Sequence, residues 1–391
     1  MPHIQSGTAR IYWRADGDAA RPALVLGNSL GTDFSLWDPV LPRLMRHFYV
    51  VRYDMRGHGA SDAPEGDYTL DELTDDLAAV VVAAGLTRFH YCGVSLGGMV
   101  GMAYAAREQN RLERLVLCNT STFFEREVWD TRIAAVRAGG TAAVADAVLA
   151  RFYTPRFVAR GGLEYLRVRD TLLSLAPQGY VGCCAAIRDM RIGDKLPGIA
   201  VPTLVLTGAH DQSTPPARGQ AIADAIPGAR LHTLPCAHIP MTEVPWQWCD
   251  TVLDFLDPAP AWDEAARYAA GLARRKQVLG AAYVEQRLAA VTPFNTRFQQ
   301  LITRLAWGEI WTSSRFEDTA RRAMVLAMMT ALGRWEEFEL HVNAALRAGV
   351  EPEVIEETLM QAAVYCGVPA ANTAFALAAK AVAMQNEDEP R

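Results

Sequence analysis

Gly93-Val94-Ser95-Leu96-Gly97-Gly98 follows an apolar run at 89–92 and opens a helix-forming stretch at 99–107. A serine between small residues at the junction of a strand and a helix is the pattern of a sharp turn. Such a turn leaves no room for larger neighbours and holds the hydroxyl out at a helix N-terminus. As five letters the pattern is common; between a strand and a helix it is specific. Outward from it, one grammar repeats from residue 10 to about 257. Short aliphatic or β-branched runs at 23–26, 49–53, 89–92, 115–117, 203–206 and 230–233 end in Gly, Asn, Asp or Ser and are separated by helical stretches. Strands alternating with helices predict a mostly parallel sheet covered on both faces, with ligands at the carboxyl ends of the strands. Residues 123–195 break the alternation, because helical stretches follow one another there without a strand. They are read as a helical cap over the site, against the alternative of additional packing helices.

A serine hydroxyl is a poor nucleophile until a histidine takes its proton and a carboxylate holds that histidine in the right tautomer. In a sheet of this kind the order is Ser, then Asp or Glu, then His, the last two on loops after late strands. Asp211, in Gly208-Ala209-His210-Asp211-Gln212, follows the run at 203–206, and His238, in Cys236-Ala237-His238-Ile239-Pro240, follows the run at 230–233. His210, His232 and His58 compete for the role and are assigned to packing or loop shaping. An acyl intermediate also needs two backbone donors for its oxyanion. The amide of Leu96 supplies one, and the loop Gly27-Asn28-Ser29-Leu30-Gly31-Thr32 supplies the other, assigned to Leu30.

Together with Tyr53-Asp54-Met55-Arg56-Gly57-His58-Gly59-Ala60-Ser61-Asp62, these residues make the first 257 positions resemble an α/β-hydrolase with a helical cap. Asn28-Ser29 stands where many members of that family carry His-Gly. Within the family, residues 27–37, 180–189 and 236–241 are most similar to 3-oxoadipate enol-lactonase. That resemblance implies a substrate carboxylate, for which Arg188 in or near the cap is the expected partner.

After Asp257-Pro258-Ala259-Pro260 the strand pattern stops. This tetrapeptide can neither continue a helix nor sit in a central strand, so a stiff linker at 258–261 is expected between a domain at 1–257 and a second at 262–391. The second domain reads as helical throughout. Leu332-Gly333, Ala348-Gly349 and Cys366-Gly367 place glycine at helix ends, and Pro352 and Pro369 fall in the first turns that follow. The segments 302–311, 321–326, 332–341 and 364–372 resemble 4-carboxymuconolactone decarboxylase, which shares its helical unit with the alkylhydroperoxidase-like proteins. The latter carry two redox cysteines seven and four residues before a histidine. Here those positions are Arg334 and Glu337, and Cys366 is the only cysteine of the domain, so dithiol chemistry is excluded.

The residue pattern places His341 on or beside a buried helix face running through Phe338, Val342 and Ala345. A histidine in such a place is most often a packed core residue; the resemblance is what implies function. It implies a decarboxylation needing neither metal nor organic cofactor. Arg321 and Arg322 would bind carboxylate, His341 would act as proton donor or oxyanion partner, and Glu309 would position or relay. Helix-surface ion pairing is the plain alternative for Glu309 and the arginines. Taken together, the two resemblances imply consecutive steps of aromatic-acid breakdown on one chain, acting on a small dianionic lactone. The rival expectation is a single ester or lactone hydrolase carrying a helical oligomerisation module.

Composition agrees with this layout. The 391 residues suffice for two or three domains, and 50% hydrophobic with 21% charged residues describes a globular chain. A net charge of −6 has the wrong sign for a protein that neutralises phosphates, so no nucleic-acid partner is expected. Of 38 basic residues only Lys195, Lys276 and Lys380 are lysines, an arginine excess attributed to codon bias as a whole. Seven cysteines without CxxC spacing suggest reduced thiols. The opening Met1-Pro2-His3-Ile4-Gln5 lacks a basic stretch followed by an apolar run, and no window approaches 18 uninterrupted apolar residues. A cytoplasmic protein without a membrane span, assembling as a homo-oligomer through its helical domain, is expected.

Overall fold

The computed structural model describes residues 3–257 and 264–388, so the linker expected at 258–261 lies outside the described residues. The chain divides into two compact units, Met1–Pro258 and Ala259–Arg391.

The first unit is built on eight strands: β1 (His3–Ser6), β2 (Ala9–Asp16), β3 (Ala23–Gly27), β4 (Tyr49–Tyr53), β5 (Phe89–Val94), β6 (Leu112–Cys118), β7 (Thr203–Gly208) and β8 (Arg230–Leu234). Their order across the sheet is β1-β2-β4-β3-β5-β6-β7-β8. From β4 to β8 all neighbours pair in parallel, whereas β1 with β2 and β2 with β4 pair antiparallel. The six expected runs are β3 to β8. The first two strands escaped the sequence reading because they are not continuous apolar runs. In β2 only Ala9 and Ile11 are fully buried, while every residue of β3, β5 and β7 is.

Helices α1 (Leu70–Ala83), α2 (Leu96–Glu108), α3 (Arg126–Gly139), α4 (Ala142–Phe152), α5 (Pro155–Arg160), α6 (Leu163–Ser174), α7 (Pro177–Asp189), α8 (Pro216–Ala225) and α9 (Pro245–Leu256) complete this unit. Local sequence explains where they start. Thr69 caps α1 by accepting from the Glu72 amide, and the Glu72 side chain reaches back to Thr69, which is why the helix begins there. Five of the helices, α3 to α7, form a continuous insertion between β6 and β7.

The sheet hands over to α2 at Ser95, whose backbone has φ 54° and ψ −114°. A non-glycine residue held there costs on the order of 1–3 kcal/mol, so the surroundings must impose it. They do so through backbone contact. Gly27 of β3 lies opposite Gly93 of β5, and the Gly97 amide donates to the Asn28 carbonyl at 2.9 Å. A Cβ at position 97 would sit 2.2 Å from the Gly27 oxygen, and one at 93 would sit 2.3 Å from the Gly97 carbonyl carbon.

The second unit is helical: α10 (Glu264–Leu279), α11 (Ala281–Ala289), α12 (Thr296–Ile302), which continues as a π-helix over Thr303–Ile310, then α13 (Asp318–Leu332), α14 (Trp335–Arg347), α15 (Pro352–Cys366) and α16 (Val368–Asp388). Gly333, Gly349 and Gly367 all have positive φ at the ends of α13, α14 and α15. Phe338, Val342 and Ala345 of α14 pack with Leu326, Ile355 and Leu359 in one apolar cluster. Val278, Val284, Trp307 and Trp311 form a second. Among the described residues no helix is long and apolar enough to cross a membrane.

Gly97→Ala is expected to cost about 1–3 kcal/mol, because β3 and α2 must separate to admit the methyl group. Urea denaturation of the two proteins measures it, and an unchanged midpoint would refute the close-packing account.

Candidate active sites

Ser95 and His238 line the same cavity of about 380 Å³ at the carboxyl ends of the strands, together with residues of the α3–α7 insertion. The His238 Nδ1 lies 2.8 Å from Asp211 Oδ2. Asp211 is almost wholly enclosed and accepts four further hydrogen bonds. They come from the amides of Ser213 and Thr214 at 2.7 and 3.0 Å, from Thr214 Oγ1 at 2.6 Å and from Asn119 Nδ2 at 2.9 Å. Burial alone would raise this carboxyl's pKa. The interaction with His238 and the bonds from Thr214 and Asn119 outweigh it and hold the group below its usual value. The result is a fixed carboxylate that keeps a proton on Nδ1 and leaves Nε2 free to accept one. Asn119 was not foreseen. Its signal is positional, a residue at the end of β6 with φ 44°, whose amide group also bonds the Ala237 carbonyl at 3.1 Å.

The amide of Leu30 and that of Leu96, the first residue of α2, have no acceptor in the protein among the described residues. Leu30 lines the Ser95 cavity. The loop that carries it is shaped by a histidine: Gly31 N–H donates to His58 Nε2 at 2.9 Å, while His58 Nδ1 lies 3.2 Å from the Arg56 carbonyl. Complete burial pushes His58 down to about 4, so the ring is neutral and can accept from Gly31. His210 and His232 are exposed, consistent with their assignment away from catalysis.

Arg188 requires correction. Its guanidinium meets Asp67, Asp130 and Asp189 at 3.0, 3.3 and 2.6 Å, and it does not line the cavity. Three acidic partners leave it no capacity for a substrate carboxylate. The arginines that line the cavity are Arg132, Arg151 and Arg218. Arg218 is neutralised by both oxygens of Glu125 at 3.1 Å. Arg132 and Arg151 have no carboxylate within ion-pair distance among the described residues. Arg132 lies over the Trp129 ring, 4.6 Å from its centroid, and beside the Tyr180 hydroxyl. Among the described residues the Trp129 Nε1 and Tyr180 Oη are themselves buried without a hydrogen-bond partner.

In the helical unit Trp311 is the meeting point. The His341 ring stacks on it at 6.1 Å and 13°, and the Arg321 guanidinium lies 5.9 Å from its centroid. Arg321 donates to the Ser313 carbonyl at 2.8 Å and Arg322 to the Ala344 carbonyl at 3.0 Å. Both arginines are buried, and the Nε of each has no partner. Among the described residues neither has a carboxylate within ion-pair distance. Burial, reinforced by the Arg322 charge, pushes His341 down to about 4, so its imidazole is neutral at pH 7. Glu309 does not join this group. It is paired with Arg267 of α10, the helix–helix ion pair that was the plain alternative for it. Among the described residues no group of three or more His, Cys, Asp or Glu side chains is arranged to hold a metal ion.

A strained serine after β5, a buried Asp–His pair after β7 and β8, and a helical insertion over the strand ends define an α/β-hydrolase. A family profile described as "alpha/beta hydrolase fold" matches residues 22–244, and the chain belongs to that family. Residues 296–380 match a second profile, "Carboxymuconolactone decarboxylase family", so the chain fuses a hydrolase with a carboxy-lyase unit. The first part is 33% identical to 3-oxoadipate enol-lactonase 2 of Acinetobacter baylyi over 59% of this chain and 86% of that protein. The second is 34% identical to 4-carboxymuconolactone decarboxylase of the same organism over 30% of this chain and 87% of that protein. The crystal structure of the enol-lactonase from Burkholderia xenovorans LB400 superposes with a TM-score of 0.64 and 40% identity, covering 65% of this chain and 99% of that one.

Asp211→Asn is expected to lower kcat for a simple ester by about 10⁴ while leaving the protein folded, because the amide imposes the wrong tautomer on His238. Near-wild-type turnover would remove Asp211 from the site. His58 generates a pH effect of definite sign. Its folded pKa lies below the unfolded value, so its contribution to stability is complete above about 6.5 and is lost as the pH falls toward 4. Between pH 7 and pH 5 the stability of the wild type relative to His58→Gln should fall by about 2 kcal/mol, read from urea midpoints; a constant difference would contradict a buried neutral ring.

Proposed function

We propose that this chain decarboxylates 4-carboxymuconolactone in its helical unit and opens the resulting 3-oxoadipate enol-lactone in its hydrolase unit, releasing 3-oxoadipate in the β-ketoadipate pathway for protocatechuate. The observation that carries the reading is the joining, on one polypeptide, of relatives of two enzymes whose reactions are chemically consecutive.

In 4-carboxymuconolactone the departing carboxylate sits on a carbon joined through a double bond to the lactone carbonyl. Carbon dioxide can leave while its bonding electrons flow to that oxygen, giving a dienolate that takes one proton on carbon. Orientation of a dianion and stabilisation of the enolate oxygen are all the protein must add. Arg321 and Arg322, buried cations that among the described residues have no acidic neighbour in ion-pair range, fit the carboxylates. The His341 imidazole, neutral in the free protein, gains affinity for a proton as the dianion approaches, takes one from solvent, and as imidazolium holds the developing oxyanion and passes that proton to the dienolate carbon, returning to the neutral form.

In the hydrolase unit Ser95 Oγ attacks the lactone carbonyl as its proton passes to His238 Nε2, and the Leu30 and Leu96 amides receive the oxyanion. Collapse expels the enolate, which takes the proton from His238 and becomes the ketone. Water then adds to the acyl-enzyme and releases the second carboxylate. Arg132, with the unpartnered Trp129 Nε1 and Tyr180 Oη, fits the pendant carboxylate, and Arg151 is a second free cation in the same cavity. Exposed Phe298 and Leu301 of α12, with exposed Phe294 in the turn before it and exposed Leu305 in the π-helix after it, support self-association through the helical unit.

Supplying 4-carboxymuconolactone to two variants tests the sequence of steps. Ser95→Ala should accumulate enol-lactone, and His341→Ala should release no carbon dioxide yet open supplied enol-lactone. Decarboxylation by His341→Ala at the wild-type rate would remove His341 from the reaction. Failure of wild type to release carbon dioxide, with ester hydrolysis intact, would leave the helical unit as an assembly module. Arg132→Ala should raise KM for the anionic lactone at least about 10-fold while changing that for a neutral ester little.

A further inference from the structure

From the sheet side the loop that carries His238 is held at two carbonyls, Ala237 by Asn119 Nδ2 at 3.1 Å and Cys236 by the His210 amide at 2.9 Å. It follows β8, the last strand, of which only Leu234 is fully buried. Asp211 holds one edge of the imidazole through a single hydrogen bond and leaves the plane of the ring unfixed. On the opposite side the restraints come from the turn between α4 and α5 of the insertion. The Phe152 carbonyl accepts from the amides of His238 and Ile239 at 3.0 and 3.3 Å, and the Phe152 ring stacks on the imidazole at 5.2 Å and 28°. Thr242 Oγ1 donates to the Tyr153 hydroxyl at 3.2 Å.

One carboxylate completes the junction. Glu243 Oε2 accepts from the Ala237 amide at 2.8 Å, immediately before His238. Its Oε1 accepts from the Thr154 amide at 3.3 Å and from the Thr154 hydroxyl. Three donors from two separate segments converge on two oxygens, a demand that a carboxylate meets and an amide meets only in part.

We propose that Glu243 is a positioning residue for the hydrolase reaction: by bridging Ala237 to Thr154 it locks the His238 loop onto the insertion, and the insertion thereby sets the reach of the imidazole toward Ser95. Glu243 touches neither substrate nor nucleophile. The inference rests on Ser95 and His238 acting as nucleophile and base.

The test is steady-state hydrolysis of p-nitrophenyl acetate by the full chain, with folding followed by circular dichroism. Glu243→Ala should lower kcat by on the order of 10- to 100-fold, as expected for a base displaced by a fraction of an ångström to one ångström, with KM held within about 2-fold. Glu243→Gln, which keeps one acceptor, should fall between Ala and wild type. Thr154→Val should cost less than Glu243→Ala, and the double variant should be no slower than Glu243→Ala alone, because both changes break one junction. Wild-type kcat in folded Glu243→Ala, or additive losses in the double variant, would overturn the proposal. If Glu243→Ala fails to fold, Glu243→Gln and Thr154→Val decide it by the same kcat criterion. Full activity of Ser95→Ala would remove the underlying catalytic reading. An inactive Ser95→Ala alongside a fully active Glu243→Ala would remove only the positioning role.

Discussion

The hydrolase unit depends on backbone meeting backbone at β3, β5 and the start of α2. Gly27, Gly93 and Gly97 approach within distances at which a single Cβ would overlap a neighbouring carbonyl. That contact forces Ser95 into a conformation it would not otherwise hold, and the same contact brings the Asn28–Leu30 loop beside the first turn of α2. Ser95 and the amides of Leu30 and Leu96, the proposed nucleophile and oxyanion donors, are thus set by one packing constraint. The sheet supplies the rigidity, and the loops after β7 and β8 need only bring the acid and the base to a point already defined.

Much of this was legible in the sequence because its determinants are local. A glycine–serine–glycine turn between strand and helix is written in six consecutive residues. The order of Ser95, Asp211 and His238 follows from the order of strands. What the sequence could not show was which arginines remain free. Arg188 is neutralised by Asp67, 121 positions away, and Glu309 is occupied by Arg267, 42 positions away. Whether a cation is available to a ligand depends on acids brought to it by folding, and no spacing rule along the chain reports that. β1 and β2 were missed for a related reason: an edge pair buries alternate residues and leaves no continuous apolar run to read.

The two units handle positive charge in opposite ways. In the hydrolase unit most buried arginines are matched to acids, as Arg56 is to Asp76 and Arg52 to Asp16 and Asp38. They act as structural pins, and the cavity keeps Arg132 and Arg151 in reserve. In the helical unit Arg321 and Arg322 are buried against carbonyl oxygens and an indole face, without an acid in ion-pair range among the described residues. A buried guanidinium left in that state is costly, and the cost is recovered when an anion arrives. Affinity for an anion can therefore be large even though the chain as a whole is negative.

With the proposed sequence of steps, carrying both units on one polypeptide has a consequence for the intermediate. Two separate enzymes can drift in abundance, so the standing pool of a shared compound varies with the expression of each. Here translation fixes the ratio of decarboxylase to lactonase sites at one to one. The pool is then governed by the turnover numbers and the affinity of the hydrolase cavity alone. In that sequence, a substitution that slows lactone opening raises the level of the enol-lactone, and a change in the dosage of this gene leaves the ratio of the two units as it was.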